Sequence, residues 1–351
     1  MIREIHLIYF RNHINFKAEF DSNLVIISGE NGSGKTNILE AISLLAPGRS
    51  FRNCKLGEII NNQDIGVNEW GAHISLEEIK FSTGYTHNSL RKIKKNGELL
   101  KSQVDILQDI KVLWLLPQME NIFLGPASAR RKFFDRICYN IFPQHAKNVL
   151  RYEYYTRARL KILQCDHFDV DWLDLIELNL AKLSIAIQEM RENVLCILIE
   201  KLNTISSKFL KPKLELTNLI TILEEKSLQN LFKNYRMLDK RSNRSNFGPH
   251  KTDLIITDHM KKQKAEYCST GEQKALLVSF FIAQALAIKN ISGIAPIMLM
   301  DEILAHFDLV KQMNILKELK NLSSQIWITT TINKADFLKL FGENQFSWLD
   351  L

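Results

Sequence analysis

Cysteine, the residue that forms disulfides and many zinc sites, is scarce in this sequence of 351 residues. The chain contains five cysteines, and no two of them form a C-x-x-C pair. This scarcity argues against a disulfide framework or a zinc site and favours reduced thiols in a cytosolic protein. The five positions are Cys54, Cys138, Cys165, Cys196 and Cys268.

Long apolar runs are missing as well. The most apolar helix candidate, residues 275–288, includes the polar side chains of Ser279 and Gln284. A membrane-spanning helix needs about 20 apolar residues, so this shorter stretch predicts a buried helix of a soluble protein. The first residues have no apolar signal-peptide region, and neither an internal repeat nor a low-complexity tract is found. We therefore expect a cytoplasmic protein without membrane contact.

Acidic residues are too few to balance the basic ones. The net charge is +7 and the pI is about 9.0. Between residues 128 and 161, nine Lys or Arg face two acids, an excess of seven that equals the surplus of the whole chain. Tyrosines lie among these charges, which favours contact with a nucleic-acid backbone; the alternative is a solvated helix face. The candidates for DNA contact are Arg130, Arg131, Lys132, Arg151, Arg157, Arg159 and Lys161.

A phosphate-binding loop is the clearest motif that is present. Residues 29–36 read GENGSGKT and fit the pattern G-x-x-x-x-G-K-[ST]. The apolar run before it predicts a buried parallel strand, and Ile38 and Ile42 after it have helical spacing. Backbone N–H groups in such a loop, together with the helix start, attract phosphate. The residues predicted to bind nucleotide are Gly29, Glu30, Asn31, Gly32, Ser33, Gly34, Lys35, Thr36 and Asn37.

Individual side chains of this site have distinct expected roles. Lys35 is expected to reach the β- and γ-phosphates, and the Thr36 hydroxyl is expected to hold Mg²⁺. An apolar strand at 297–300 ends in Asp301 and Glu302. Asp301 can orient the Mg²⁺ shell, and Glu302 can orient or deprotonate an attacking water. The predicted catalytic residues are therefore Lys35, Asp301 and Glu302.

A second loop motif precedes the apolar helix candidate. In the segment 268–274, Ser269 and Thr270 are residue types suited to cap a helix, and Gly271 leaves the helix start open to an anion. Taken alone the pattern is equally typical of a plain helix cap. Its position between the phosphate loop and the Asp-Glu strand favours a part in the same nucleotide site.

The wider pattern predicts an α/β fold, a P-loop ATPase head of mixed β-sheet and helices with an inserted helical lobe. Residues 1–127 and 247–351 are predicted to form the ATPase lobe, and 128–246 the inserted, mainly helical lobe. Within that lobe, apolar residues from Leu173 to Ile197 recur in steps of three and four, which predicts a short heptad seam against a neighbouring helix.

Near the start of the chain, local patterns predict strands. Residues 2–10 and 14–20 read as two strands, and alternation in the second predicts one buried face. Further on, the Asn96-Gly97 pair after a basic run predicts a two-residue hairpin turn.

The order of these motifs resembles that of the ATP-binding-cassette ATPases. In that family the S-x-G-x-Q signature of one subunit, which Ser269, Gly271 and Gln273 match here, closes on the ATP bound by another. The resemblance implies ATP and Mg²⁺ as cofactors and an ATP-dependent homodimer. Gln118 would be the residue that senses the γ-phosphate and joins Thr36 and Asp301 at the metal; the alternative is an ordinary loop glutamine. Asp308 resembles the D-loop aspartate of that family.

Within that group the chain resembles the RecF family, related to the SMC heads, over essentially its whole length. The residues that support this are the segment 10–13, which includes Arg11 and Asn12, and the segments 124–135 and 248–253. Arg11 and Asn12 are accordingly placed with the cofactor-binding residues. The resemblance implies a slow, DNA-stimulated ATPase that dimerises on ATP and binds duplex and gapped DNA. It further implies action with RecO and RecR to load RecA in gap repair, replication restart and the SOS response.

Two departures from the RecF pattern leave questions open. Glu302 stands where many members have a second Asp, and Thr329, Thr330 and Thr331 stand where a switch histidine is expected after the last core strand. Two other functions are considered: an ATPase subunit of a membrane transporter, and a nucleotide-binding scaffold without turnover. The 233 positions from Thr36 to Ser269 argue against the transporter, and the Asp-Glu pair argues against the scaffold.

Overall fold

The computed structural model describes residues 1–61, 66–86, 91–167, 169–206, 208–217, 224–303, 307–341 and 346–351. They form two compact units. The first contains Met1–Met119 and Phe281–Leu351, and the second contains Glu120–Phe280. The second unit therefore extends beyond the predicted lobe of 128–246 at both ends.

Strands and helices are numbered in chain order. The strands are β1 (Ile2–Phe10), β2 (His13–Glu19), β3 (Leu24–Ser28), β4 (Glu69–Leu76), β5 (Lys80–Thr86), β6 (Lys92–Lys95), β7 (Glu98–Leu99), β8 (Val112–Leu115), β9 (Pro212–Thr217), β10 (Asp253–Asp258), β11 (Ile297–Met300), β12 (Ile326–Thr330) and β13 (Ser347–Asp350). The helices are α1 (Lys35–Ser43), α2 (Asn121–Leu124), α3 (Ala127–Ile141), α4 (Gln144–Leu163), α5 (Val170–Thr204), α6 (Glu225–Asn234), α7 (Arg236–Ser242), α8 (Thr270–Ser292), α9 (Leu309–Lys320) and α10 (Lys334–Phe341).

A parallel sheet forms the centre of the first unit, with strand order β13-β3-β12-β11-β8 in the described residues. All residues of β3, β8 and β11 are buried, as expected when both faces of a parallel sheet are covered. The carboxyl ends of β3, β12 and β11 lie side by side. Parallel strands thus bring the phosphate loop, which follows β3, and the Asp-Glu pair, which follows β11, to one edge of the sheet.

An antiparallel sheet of order β2-β1-β4-β5-β6-β7 completes the strands of this unit. The predicted hairpin is confirmed: Asn96 and Gly97 both have positive φ, 49° and 88°, between β6 and β7, which suits a type I′ turn. The predicted buried face of β2 is only partly right. Ile14 of β2 is 43% exposed, whereas Phe20, directly after the strand, is 5% exposed.

Three helices, α3, α4 and α5, dominate the second unit and confirm the helical interpretation of this part of the chain. The predicted seam of α5 is largely buried, since Leu173, Ile176, Leu180 and Val194 are at most 1% exposed. Ile176 and Leu180 share a cluster with Tyr152 of α4. The strand β10 pairs antiparallel with β9, which places residues after 246 in this unit.

Helix α8 is longer than predicted. It runs from Thr270 to Ser292 and has 23 residues, because the polar residues of its first turns continue the helix rather than precede it. By length and composition α8 could cross a membrane, since an 18-residue stretch of it has a mean hydropathy of 1.6. However, 67% of that stretch is buried inside the protein, as in the core helix of a globular fold. The expected length was wrong, whereas the expected burial is observed.

Candidate functional site

The phosphate loop forms a tight connection between β3 and α1. Gly34, the residue before the helix, has φ of 110°, which side chains rarely adopt. A Cβ atom at this position would lie 2.6 Å from Nδ2 of Asn12. Ser33 has a buried hydroxyl without a hydrogen-bond partner in the part of the chain that the structure describes. The loop thus has the close backbone approach and the unused polar group expected of a ligand cradle.

Lys35 lies at the start of α1 and is 4% exposed. Its ammonium donates hydrogen bonds to the carbonyl oxygens of Gly29 (2.7 Å) and Glu30 (2.8 Å). It also lies 4.0 Å from Oε1 of Glu302. The lysine predicted to contact phosphate therefore lies inside the loop, beside the carboxylate predicted to act on water.

Thr36 and Asp301 meet across the edge of the parallel sheet. The Thr36 hydroxyl lies 3.0 Å and 3.2 Å from the two carboxylate oxygens of Asp301. Hard cations such as Mg²⁺ take oxygen ligands of this kind. The donor set therefore fits the predicted metal, and Thr36 and Asp301 are the residues that would hold it. Mg²⁺ bound there would supply charge neutralisation at the phosphates.

Thr329 is a member of this site that the sequence analysis did not assign. Thr329 is 1% exposed. Its hydroxyl donates to the carboxylate of Asp301 (2.7 Å) and accepts from the backbone N–H of Glu302 (2.9 Å). Glu302 itself has φ of 51°, an uncommon conformation for this residue type. Thr329 thus holds the carboxylate of Asp301 and the backbone of Glu302 at once. The available signal was the run of threonines where a histidine was expected.

Gln118 follows β8, the strand that neighbours β11 in the parallel sheet. The N–H of Asp301 donates to the carbonyl of Leu115, the last residue of β8, at 3.1 Å. Gln118 is exposed and follows the strand that ends beside Asp301. Its predicted role at the metal remains a prediction.

Asn12 and Asn37 support the loop from the side. The amide of Asn12 donates to the carbonyl of Ser33 (2.9 Å), and the amide of Asn37 donates to Oδ1 of Asn12 (2.7 Å). In contrast, Glu30, Asn31 and Gly32 are exposed at the tip of the loop.

Arg11 is engaged elsewhere. Its guanidinium donates to both carboxylate oxygens of Glu40 in α1, each at 2.8 Å, and to the carbonyl of Glu58 at 2.7 Å. Glu40 is fully buried, which by itself raises its pKa, but the hydrogen bonds from Arg11 and Ser50 outweigh this and the pKa is lowered. The expectation that Arg11 binds nucleotide directly is not supported, because this ion pair occupies the side chain and anchors α1.

The signature segment lies in the second unit. Ser269 precedes the first residue of α8, and its hydroxyl and backbone N–H both donate to Oε2 of Glu272 at 2.9 Å. Gly271 is exposed, and a Cβ added there would meet nothing within 4 Å. Gln273 is 3% exposed and donates to the carbonyl of Ala265 (2.8 Å). The predicted nucleotide contact of Gln273 is therefore not supported, since its amide is buried inside the unit.

One of the predicted DNA contacts is wrong. Arg159 is 1% exposed, and its guanidinium donates to Glu177 (2.8 Å), Asp239 (2.5 Å) and the carbonyl of Phe232. A buried guanidinium needs such partners. The sequence showed only a basic residue in a basic helix, without the carboxylates that lie far along the chain.

Two further candidates for DNA contact, Arg130 and Arg131, form hydrogen bonds within the second unit. Arg130 forms a bidentate pair with Asp253, at 2.8 Å and 2.7 Å, and Arg131 donates to the carbonyl of Thr252 (3.0 Å). These bonds join the segments 124–135 and 248–253, which the RecF resemblance singled out separately. Both arginines are half-buried, so their observed role is structural.

The remaining candidates are exposed. We define the α4 basic face as Lys147, Arg151, Tyr154, Arg157 and Lys161, all of which are exposed. Their spacing along α4 places them on one side of the helix, and Tyr154 is 63% exposed. None of the four cations forms an ion pair within the described ranges. Lys132, on α3, is exposed as well, and Lys147 was not among the predicted contacts.

With this geometry in place, comparison with known proteins is informative. A family model described as the RecF/RecN/SMC N-terminal domain matches residues 1–341. The DNA replication and repair proteins RecF of Rickettsia akari and Rickettsia conorii are 36% and 35% identical to the chain, and each alignment covers 97% of it and 99% of the relative.

Solved structures agree with these relatives. A structure of the recombination mediator protein RecF-ATP in the RecFOR pathway has a TM-score of 0.84 at 26% identity, covering 95% of this chain and 92% of that one. An SMC head bound to the winged-helix domain of ScpA has a TM-score of 0.50 at 19% identity, covering 95% and 90%, and shows the fold alone. The predicted fold class is thereby confirmed. The chain belongs to the RecF family of ABC-type ATPases, which is related to the SMC heads.

Proposed function

We propose that this protein is an ATP-dependent DNA-binding recombination mediator that dimerises on ATP. The observation that carries the proposal is the convergence of Lys35, Thr36, Asp301 and Glu302 at one edge of the parallel sheet. The names of the relatives, DNA replication and repair protein RecF and recombination mediator RecF-ATP, support it.

The geometry supports slow ATP hydrolysis with Mg²⁺ as cofactor. Lys35 binds the phosphates and neutralises their charge, and Thr36 and Asp301 hold the metal. The Glu302 carboxylate, 41% exposed, orients a water and accepts its proton. Thr329 holds the Asp301 carboxylate and the Glu302 backbone in place and so reduces the reorganisation needed for the reaction.

The signature segment supports the dimer. Gly271 has open space around its Cα and no positive φ, so nothing in the described parts of the second unit requires glycine there. Close approach of a nucleotide and a partner chain does require it. In the proposed dimer, Ser269 and Gly271 of one subunit cover the ATP held by Lys35 of the other.

The α4 basic face supports DNA binding. It combines four cations with an exposed tyrosine, which suits contact with phosphates and with unpaired bases at a gap. We propose duplex and gapped DNA as ligands, RecO and RecR as partners, and RecA loading in gap repair, replication restart and the SOS response as the role. The protein then works in the cytoplasm, without membrane contact.

The alternative, an ATPase subunit of a membrane transporter, gains no support. The family match over residues 1–341 is to RecF, RecN and SMC proteins, and in the second unit Arg130 and Arg131 join the segments 124–135 and 248–253. We therefore do not propose it.

Solution mass with ATP, with ADP and without nucleotide tests the proposal. We expect a dimer with ATP and a monomer with ADP or without nucleotide. Lys35→Ala should stay monomeric because it loses phosphate contacts, whereas Glu302→Gln should accumulate the ATP-bound dimer because hydrolysis is blocked. Gel shifts with gapped DNA should follow the dimer, and equal DNA binding with and without ATP would exclude ATP gating.

A further inference from the structure

A basic turn, residues 261–264, joins β10 to the signature segment. It is folded by Asp258, whose carboxylate accepts hydrogen bonds from the backbone N–H groups two and three residues on, at 2.8 Å and 3.0 Å. Lys262 has a left-handed conformation with φ of 52°, and its N–H donates to the carbonyl of Asp258. The backbone of Lys261 is thus fixed by the strand that precedes it.

The start of helix α8 is fixed against the same turn. Buried Gln273 donates to the carbonyl of Ala265 (2.8 Å) and so ties the first turn of the helix to the preceding chain. Glu272, in that first turn, forms an ion pair with Lys261 through Oε1. Its Oε2 accepts the two hydrogen bonds from Ser269 at 2.9 Å. The ion pair and these bonds lower the pKa of Glu272 to about 2.

This arrangement creates a conflict at the signature. The carboxylate of Glu272 occupies the Ser269 donors that an incoming phosphate requires, and its negative charge repels that phosphate. A hydroxyl has one proton to donate, so Ser269 cannot serve both acceptors at once. A group that neutralises Glu272 and attracts it away from Ser269 removes both obstacles. Lys261 can do this, because its ammonium is already paired with Oε1 of Glu272.

We propose that Lys261 is a positioning residue for the signature motif. Its ammonium neutralises Glu272 and retains that carboxylate when Ser269 turns to donate to the γ-phosphate bound by the partner subunit. Lys261 acts through Glu272 and does not itself contact the nucleotide. This inference rests on the proposed function, because it requires the ATP-dependent dimer.

The first test compares two single lysine variants of the full chain. With ATP, Lys261→Ala should weaken dimerisation about tenfold, measured by sedimentation, because Glu272 is left as an unneutralised anion beside the phosphate. The matched control is Lys262→Asn, which removes the same charge from the same turn and tolerates its left-handed conformation. It should dimerise like the wild type, and Lys261→Arg should restore most of the loss. ATP binding by the monomer should be unchanged in all variants, since Lys35 and its loop are intact.

A double-variant cycle separates the indirect role from a direct one. In the Glu272→Ala background, the additional change Lys261→Ala should have no further effect on ATP-dependent dimerisation. If the tenfold loss persists in that background, Lys261 contacts phosphate itself and the inference is overturned. If the wild type dimerises with ATP and Lys261→Ala does so equally, the inference fails while the proposed function stands. A wild type that stays monomeric with ATP would overturn both.

Discussion

Arg157 and Arg159, two residues apart on helix α4, have opposite environments. Arg157 belongs to the exposed α4 basic face, whereas Arg159 is buried against Glu177 and Asp239. In the sequence both are basic residues among tyrosines, and both were predicted to contact DNA. The difference shows that charge density locates a basic helix but not which side of it meets solvent. The buried side links α4 to α5, α6 and α7, and the exposed side remains available for a ligand.

The largest expected effect comes from the buried side. Arg159→Met should lower the free energy of unfolding by about 3–5 kcal/mol, because it leaves Asp239 buried without its counter-ion and removes one of the two arginines bound to Glu177. Urea denaturation followed by circular dichroism measures it. Arg157→Met is the matched control and should stay within about 0.5 kcal/mol of the wild type. Equal losses in the two variants would contradict the contrast between the two sides of α4.

A second buried pair predicts how stability depends on pH. Asp135 of α3 is bound by Arg191 of α5 at 2.8 Å and 2.9 Å and by His145 at 2.7 Å. Burial alone raises its pKa, but the bonds from His145 and Arg191 outweigh burial and hold the pKa at about 2, below its usual 3.8. Since the folded value is the lower one, this stabilisation is complete above pH 4 and is lost as pH falls towards 2.

The lowered pKa of Asp135 corresponds to about 2 kcal/mol of unfolding free energy. Unfolding free energies measured by urea titration between pH 6 and pH 2 should fall by at least that amount in the wild type, since Glu40 and Glu272 also have lowered pKa values. Asp135→Asn should already be less stable at pH 6 and should show a flatter pH dependence. Asp166→Asn, at an exposed position after α4, is the control and should retain the slope of the wild type.

The success of prediction differed between the two units for a physical reason. In the first unit, the phosphate loop is contiguous, and a parallel sheet brings strand ends to one edge. Short motifs therefore indicate that Thr36 and Asp301 lie close together, as the structure has them; their roles remain predictions. In the second unit, the partners of Arg159 lie 18 and 80 positions away in the chain. No local pattern encodes such pairs, because they depend on how the helices pack.

Thr329 shows the same limit inside the nucleotide site. It lies in the buried strand β12, and the two residues after it are also threonines. Nothing local distinguishes the hydroxyl that bridges Asp301 and Glu302 from that of Thr330, which accepts from the N–H of Ile332. The register of β12 against β11 makes the difference: Ile328 pairs with Met300, so the next residue, Thr329, is level with Asp301.

A third substitution extends the comparison from charged to neutral buried groups. Thr329→Val should cost about 1 kcal/mol of unfolding free energy, since it leaves the N–H of Glu302 without its acceptor. ATP binding should remain while kcat falls, because Asp301 and Glu302 lose their shared support. Thr329→Ser should retain activity, and Thr330→Val should behave like the wild type. Equal kcat in the two valine variants would exclude the bridging role.

The smallest effect on stability is expected on the exposed side of α4, where the effect on DNA binding should instead be clear. Arg151→Ala, Arg157→Ala and Lys161→Ala should each leave the unfolding free energy unchanged within about 0.5 kcal/mol. Each should reduce the slope of log affinity against log salt concentration by about one, because one phosphate contact is lost. Fluorescence anisotropy with gapped DNA and ATP at several salt concentrations measures both affinity and slope. Lys182→Ala, an exposed lysine of α5, is the matched control. A slope that changes equally for Lys182 would show that only net charge matters and that the α4 basic face is not the DNA-binding surface.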